Sequence, residues 1–166
     1  MLTICQEILD QMITHAEKEY PSEACGILLG EKGRNSVTEF RPLPNIYDRM
    51  HRKFPETYPR DSRTAYLIDP MTQERLFEEA QKEGLEVKAV FHSHADHGAY
   101  FSEEDRLVAA PWGEPMYPGV SYIVISIYGG KFKEANQFYW DDKKGGFYAC
   151  PRSCSNPVAK TDGKQG

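Results

Sequence analysis

Long apolar runs are missing from this 166-residue chain, and so is any excess of positive charge. A helix that crosses a bilayer needs about 20 consecutive apolar residues, so a membrane span is not expected. Lys and Arg number 20 against 25 Asp and Glu, a net charge of −5. Binding to nucleic acid rests on clustered cations that neutralise phosphates, and that balance argues against it. The N-terminus has no basic segment leading into an apolar one, because Gln6, Glu7, Asp10 and Gln11 interrupt its hydrophobic residues. A secretory signal is therefore not expected, and the protein reads as cytoplasmic.

Cysteine is scarce, with Cys5, Cys25, Cys150 and Cys154 scattered along the chain. Nothing in that spacing demands a disulfide framework. Cys25 reads as a small hydrophobe, and Cys150 and Cys154 lack the second pair that a zinc clip would need. Internal repeats, low-complexity tracts and linkers are also absent. One domain over residues 1–150 is expected, followed by a disordered tail over 151–166 that has little to bury.

What is present alternates between helical and extended periodicity. Ile4, Ile8, Met12 and Ala16, with Leu9 and Ile13 beside them, predict an amphipathic helix that ends near Tyr20-Pro21. Strands are predicted over Ala24–Gly30 and Val37–Leu43, joined by a polar turn. From Pro44 to Arg63 the pattern fails, with aromatic and basic residues interleaved and broken by Pro55 and Pro59. Such a long irregular insertion suits a loop that covers a substrate. A strand over Ala65–Ile68 is expected next, then a helix capped by Asp69, opened by Pro70 and closed by Gly84. Val87–His94 reads as a buried strand, Ser102 opens a helix that runs to about Ala110, and the proline-rich stretch 111–119 interrupts. Ser121–Tyr128 and Lys131–Trp140 form a hairpin about Gly129-Gly130, and Phe147-Tyr148 adds a short edge. Helices mixed with strands in this order predict an α+β fold, a curved, mostly antiparallel sheet flanked by helices.

The chemistry concentrates between His92 and Asp105. Side chains two apart on a strand share a face, so His92 and His94 point the same way and both can reach one ion. Ser102 followed by Glu103, Glu104 and Asp105 is the pattern of an N-cap with an acid three residues on, which would fix Asp105 on the first helical turn. Two histidines and a carboxylate leave a fourth position for water, as in catalytic zinc sites. Other readings fit the same residues. A cap alone explains Ser102 and Asp105, hydrogen-bonded core histidines explain His92 and His94, and a His92, His94, His97 set would leave Asp105 outside.

The whole string, His-x-His, seven residues, Ser, two residues, Asp, resembles the JAMM motif of the MPN-domain zinc metallopeptidases. The segment Ser22-Glu23-Ala24-Cys25-Gly26 resembles that family's upstream glutamate before a glycine-bearing strand, and the likeness runs from about Leu2 to Tyr139. The resemblance implies an MPN fold and one zinc ion per chain on His92, His94 and Asp105. It assigns general-base work to Glu23 and an oxyanion-directed hydroxyl to Ser102. The chain looks most like the stand-alone branch that processes ubiquitin-like sulfur carrier proteins at a Gly-Gly C-terminus, with Pro44–Arg63 as candidate substrate-binding segment. Ala95 and Phe101 stand where the family often has proline. A metal-free MPN scaffold that binds partners, or a JAMM peptidase with another protein substrate, are the alternatives. The oligomeric state is not legible.

Overall fold

Hairpins and two crossovers, β2 to β3 past β1 and β3 to β4, set the order of the sheet. The computed structural model describes residues 1–150, so the expectations for 151–166, including any role of Cys154, lie outside the described residues. The elements are α1 (Gln6–Glu19), β1 (Cys25–Glu31), β2 (Glu39–Leu43), α2 (Tyr47–Lys53), α3 (Pro70–Lys82), β3 (Leu85–Ala95), α4 (Glu103–Ala109), β4 (Ser121–Tyr128), β5 (Lys131–Asp141) and β6 (Gly146–Ala149). Their six strands pair in the order β2-β1-β3-β4-β5-β6. Every pairing is antiparallel except that of β3 with β4, where α4 and the loop after it make the crossover that parallel neighbours require. The expected α+β class and mostly antiparallel sheet are therefore found.

Two cores result, one on each face. On one, α1 lays Ile8, Met12 and Ala16 over Leu28, Phe91, Ile123 and Ile125. These are the helical positions that the i, i+4 spacing picks out, and Ile8 and Met12, taken from water, each contribute roughly 1.5–3 kcal/mol. On the other face, α3 lays Leu76 and Ala80 over Ile27, Leu29 and Val90, while Phe101 stacks on Phe138 beside Phe147. Residues of β3 alternate between these faces: Ala89 and Phe91 go to the α1 side, and Val90 goes to the α3 side with His92 and His94 next along the same row. Both histidines are buried.

Two expectations need correction. Ala65–Ile68 is not a strand, although Ile68 is buried as the apolar pattern implies. The segment joins none of the six strands. It hangs instead on the Asn45 amide, which donates to Ala65 O at 3.0 Å and accepts from the Leu67 N–H at 3.1 Å. The insertion Pro44–Arg63 is not wholly irregular either, since it contains α2. That helix buries no residue, so it lacks the apolar stripe on which periodicity depends. Asp48 in its first turn and His51, Arg52 and Lys53 in its last complement the helix dipole. Among the described residues, no helix is long and apolar enough to cross a membrane.

Gly26 leaves no room for a side chain on the β2 side. A Cβ there would lie 2.6 Å from Arg41 O and 2.6 Å from Phe40 Cε2. Gly26→Ala should therefore cost about 1–3 kcal/mol, the usual penalty of overpacking. Urea denaturation measures it, and a variant as stable as the parent would show that β2 yields freely.

Candidate functional site

Register brings the site together before any side chain is considered. Cys25 of β1 lies opposite His92 of β3, and Ser93 N–H donates to Ala24 O at 2.9 Å, continuing that register beyond the strand. One step further sets Glu23 beside His94, and alternation turns both side chains to the α3 face. Ser93 points the other way, where its Oγ accepts the Ala24 N–H at 2.8 Å.

Asp105 reaches the two histidines from α4. Its Oδ1 lies 3.2 Å from His92 Nε2 and its Oδ2 lies 3.6 Å from His94 Nε2. A capping box holds the carboxylate there: Ser102 N–H donates to Asp105 Oδ2 at 2.9 Å, and Ser102 Oγ accepts the Asp105 N–H at 3.0 Å. Cap and carboxylate placement are thus one arrangement, which joins two readings that the sequence leaves as alternatives.

The histidines are held differently. His94 Nδ1 lies 2.8 Å from Gly98 O, so an Nδ1–H donated to that carbonyl leaves the Nε2 lone pair facing the cleft. His92 is fully buried and stacks on Tyr66, with ring centroids 4.4 Å apart and planes at 16°. Neither of its ring nitrogens has a hydrogen-bond partner, and the 3.2 Å approach to Asp105 lacks hydrogen-bond geometry. A buried polar atom without a partner is costly, and a cation beside Asp105 would remove that cost at Nε2. His92, His94 and Asp105 have donor atoms within 4.8 Å of one another, and among the described residues they are the group that could hold a metal ion. Two imidazoles and a carboxylate suit zinc and neighbouring transition metals. His97 lines the same cleft but stands outside this group.

The ionisable groups feel one another strongly. Burial disfavours charge on Asp105, but His92, His94 and the Ser102 hydrogen bond outweigh it and hold the carboxyl far below its usual range. Burial lowers the pKa of His92, against the pull of Asp105. For His94 the hydrogen bonds and the carboxylates of Asp105 and Glu23 overcome burial and raise its pKa. Glu23 is pushed up to about 8, mainly by burial and further by Asp105, with His94 and Arg60 opposing.

A cleft of about 280 Å³ opens over this cluster, and Glu23, Tyr47, Arg60, Tyr66, Tyr100 and Ser102 are among the residues that line it. Tyr66 and Arg60 carry no motif and lie in segments whose form the sequence does not disclose. Arg60 falls in the Pro44–Arg63 segment expected to cover a substrate, but no signal singled out Tyr66. Cys25 packs as expected, fully buried, with burial pushing its thiol up to about 12.

Known proteins resemble this chain over most of its length. The family model for prokaryotic homologs of the JAB domain matches residues 6–141. The chain is 30% identical over 127 residues to a CysO-cysteine peptidase of Mycobacterium tuberculosis, covering 76% of this chain and 73% of that one. It is 25% identical over 129 residues to a desampylase of Haloferax volcanii, covering 75% and 80%. A Desulfitobacterium hafniense protein of known solution structure superposes with a TM-score of 0.67 at 25% identity, over 90% of each chain.

Ser102→Ala should remove the acceptor for the Asp105 N–H and cost about 0.5–2 kcal/mol. Chemical denaturation of the metal-free protein measures this. An unchanged midpoint would mean that α4 does not depend on its cap.

Proposed function

The chain belongs to the family of prokaryotic homologs of the JAB domain, and on that premise we propose that it is a zinc-dependent peptidase or isopeptidase acting after the Gly-Gly tail of a ubiquitin-like sulfur carrier protein. The observation that carries this reading is the meeting of His92, His94 and Asp105, with an unpartnered His92 nitrogen, in a cleft that Glu23 and Ser102 also line. One zinc ion per chain held by these three residues would polarise a substrate carbonyl and make a water molecule more acidic.

The remaining steps fall to the chain's own groups. Glu23 takes a proton from the attacking water and delivers it to the leaving amine, a role that its place in the cleft beside His94 and Asp105 supports. Ser102 has an acceptor lone pair engaged by the Asp105 N–H, which leaves its hydroxyl proton to donate to the developing oxyanion. The histidines and Asp105 keep their donor atoms facing one point, because Gly98 O, Tyr66 and the capping box fix each of them.

Substrate shape follows from the walls. Tyr47, Tyr66 and Tyr100 narrow the cleft, and a glycine tail without Cβ atoms can lie extended between them, close to backbone. The Pro44–Arg63 segment supplies Tyr47 and Arg60 to one wall, in keeping with a part in holding that tail. Kinship with a CysO-cysteine peptidase and a desampylase supports the substrate class.

Two variants separate the roles. Glu23→Gln should retain zinc and lose hydrolysis on the order of 10²–10⁴-fold, the usual contribution of a general base, whereas His94→Ala should lose zinc and activity together. Zinc content by atomic emission and mass spectrometry of a carrier bearing Gly-Gly plus a short extension read the two effects. Full activity in Glu23→Gln would remove it as the base, and a zinc-replete His94→Ala protein would point to His97. Equal cleavage of an Ala-Ala control carrier would leave a peptidase without tail specificity.

A further inference from the structure

Glu23 lies two residues before the first residue of β1, and no strand holds its backbone. Its N–H donates to Ser62 O at 2.6 Å, and its carbonyl accepts from Asn45 Nδ2 at 2.9 Å. Both partners belong to the segment between β2 and α3. That segment therefore grips the glutamate from behind, in addition to walling the cleft.

Ser62 is in turn fixed by one carboxylate. Asp48, in the first turn of α2, accepts the Ser62 N–H on Oδ1 at 2.8 Å and the Ser62 hydroxyl on Oδ2 at 2.7 Å. Because that hydroxyl gives its proton to Asp48, the 2.9 Å contact between Ser22 Oγ and Ser62 Oγ is a bond donated by Ser22. Ser62 is only 5% exposed, so bonds to a charged acceptor here are short and little weakened by water. The two residues that flank the Ser62 link on the Glu23 side, Ser22 and Glu23, are neighbours in the chain. One carboxylate thus controls two consecutive attachments of the loop that carries the base.

We propose that Asp48 is a positioning residue for Glu23, acting through Ser62 to hold the glutamate backbone at its place in the cleft. The proposal rests on Glu23 serving as the general base. It gives α2 a reason to exist although it buries nothing: the helix aims Asp48 at Ser62. A carboxylate that merely favoured the start of α2 would face its own helix N–H groups, whereas this one spends both oxygens on Ser62, fourteen residues away.

The test uses the zinc-loaded full chain with Asp48→Ala, Asp48→Asn and Ser62→Ala. Steady-state hydrolysis of a carrier with a Gly-Gly extension is read together with zinc content and residue-resolved amide exchange. Asp48→Ala should lower kcat on the order of 10–100-fold, the scale of a small misplacement of a reacting group, with KM and zinc content unchanged. The Glu23 amide should exchange faster while those of β3 keep their protection. Asp48→Asn retains an acceptor for the Ser62 N–H and should recover most of the loss. Added to Glu23→Gln, Asp48→Ala should bring no further loss. An unchanged kcat, an unchanged Glu23 amide, a further loss in the double variant, or an asparagine no better than alanine would each overturn the proposal. If Asp48→Ala does not fold, Ser62→Ala, which removes the hydroxyl's bonds to Asp48 and Ser22 but keeps the Ser62 N–H on Asp48, should show the same pattern at smaller size. A wild type without hydrolysis would defeat the proposed function, while the exchange measurement would still decide whether Asp48 holds Glu23.

Discussion

Asp105 is held from two sides, and the cleft depends on that. Its own N–H and its Oδ2 are tied to Ser102 by the capping box, so the carboxylate cannot turn without unwinding the first turn of α4. Its oxygens meanwhile face His92 and His94 on β3. A short helix of seven residues has little stability of its own. What fixes it is the cap at its start, the burial of Ala109 at its end, and Arg106, which donates to Phe147 O at 2.6 Å and so ties the helix to β6.

The sheet supplies the other half of the site. β3 lies third in a six-stranded order, paired on both sides, and so offers a rigid row on which His92 and His94 share a face. The loop after it is tied down as well. Asp96 adopts a left-handed φ of 59°, and its carboxylate accepts the Gly129 N–H at 2.8 Å and the Tyr20 hydroxyl at 2.7 Å. Asn136 Nδ2 donates to Ala99 O at 2.9 Å. Gly98, whose carbonyl orients His94, therefore sits in a loop anchored to β5 and to the turn that joins β4 to it. Rigid elements thus carry the candidate ligands, while the Glu23 backbone is held by the Ser62 carbonyl and the Asn45 side chain from the segment between β2 and α3.

That division also explains what was legible in the sequence. Period-two and helical patterns marked α1, α3, β3 and the β4–β5 hairpin, because each of them buries a face and burial writes periodicity into a chain. The serine-to-aspartate spacing marked the capping box for a similar reason, since its geometry allows only that separation. Nothing comparable marked α2, which buries no residue, or the 65–68 segment, whose apolar residues look like a strand but whose hydrogen bonds go to the Asn45 amide. Tyr66 stacking on His92 and Asp48 holding Ser62 are contacts between side chains distant in the chain or free of any motif, and only the folded structure brings them into view.

The central claim is that His92, His94 and Asp105 together hold one zinc ion while Glu23 stays off the metal. X-ray absorption at the zinc edge of the loaded protein tests it most directly. The account predicts two imidazole nitrogens with oxygen making up the rest, all at about 2.0–2.2 Å, and the same imidazole count after Glu23→Gln. A sulfur shell near about 2.3 Å, or a third imidazole, would contradict it.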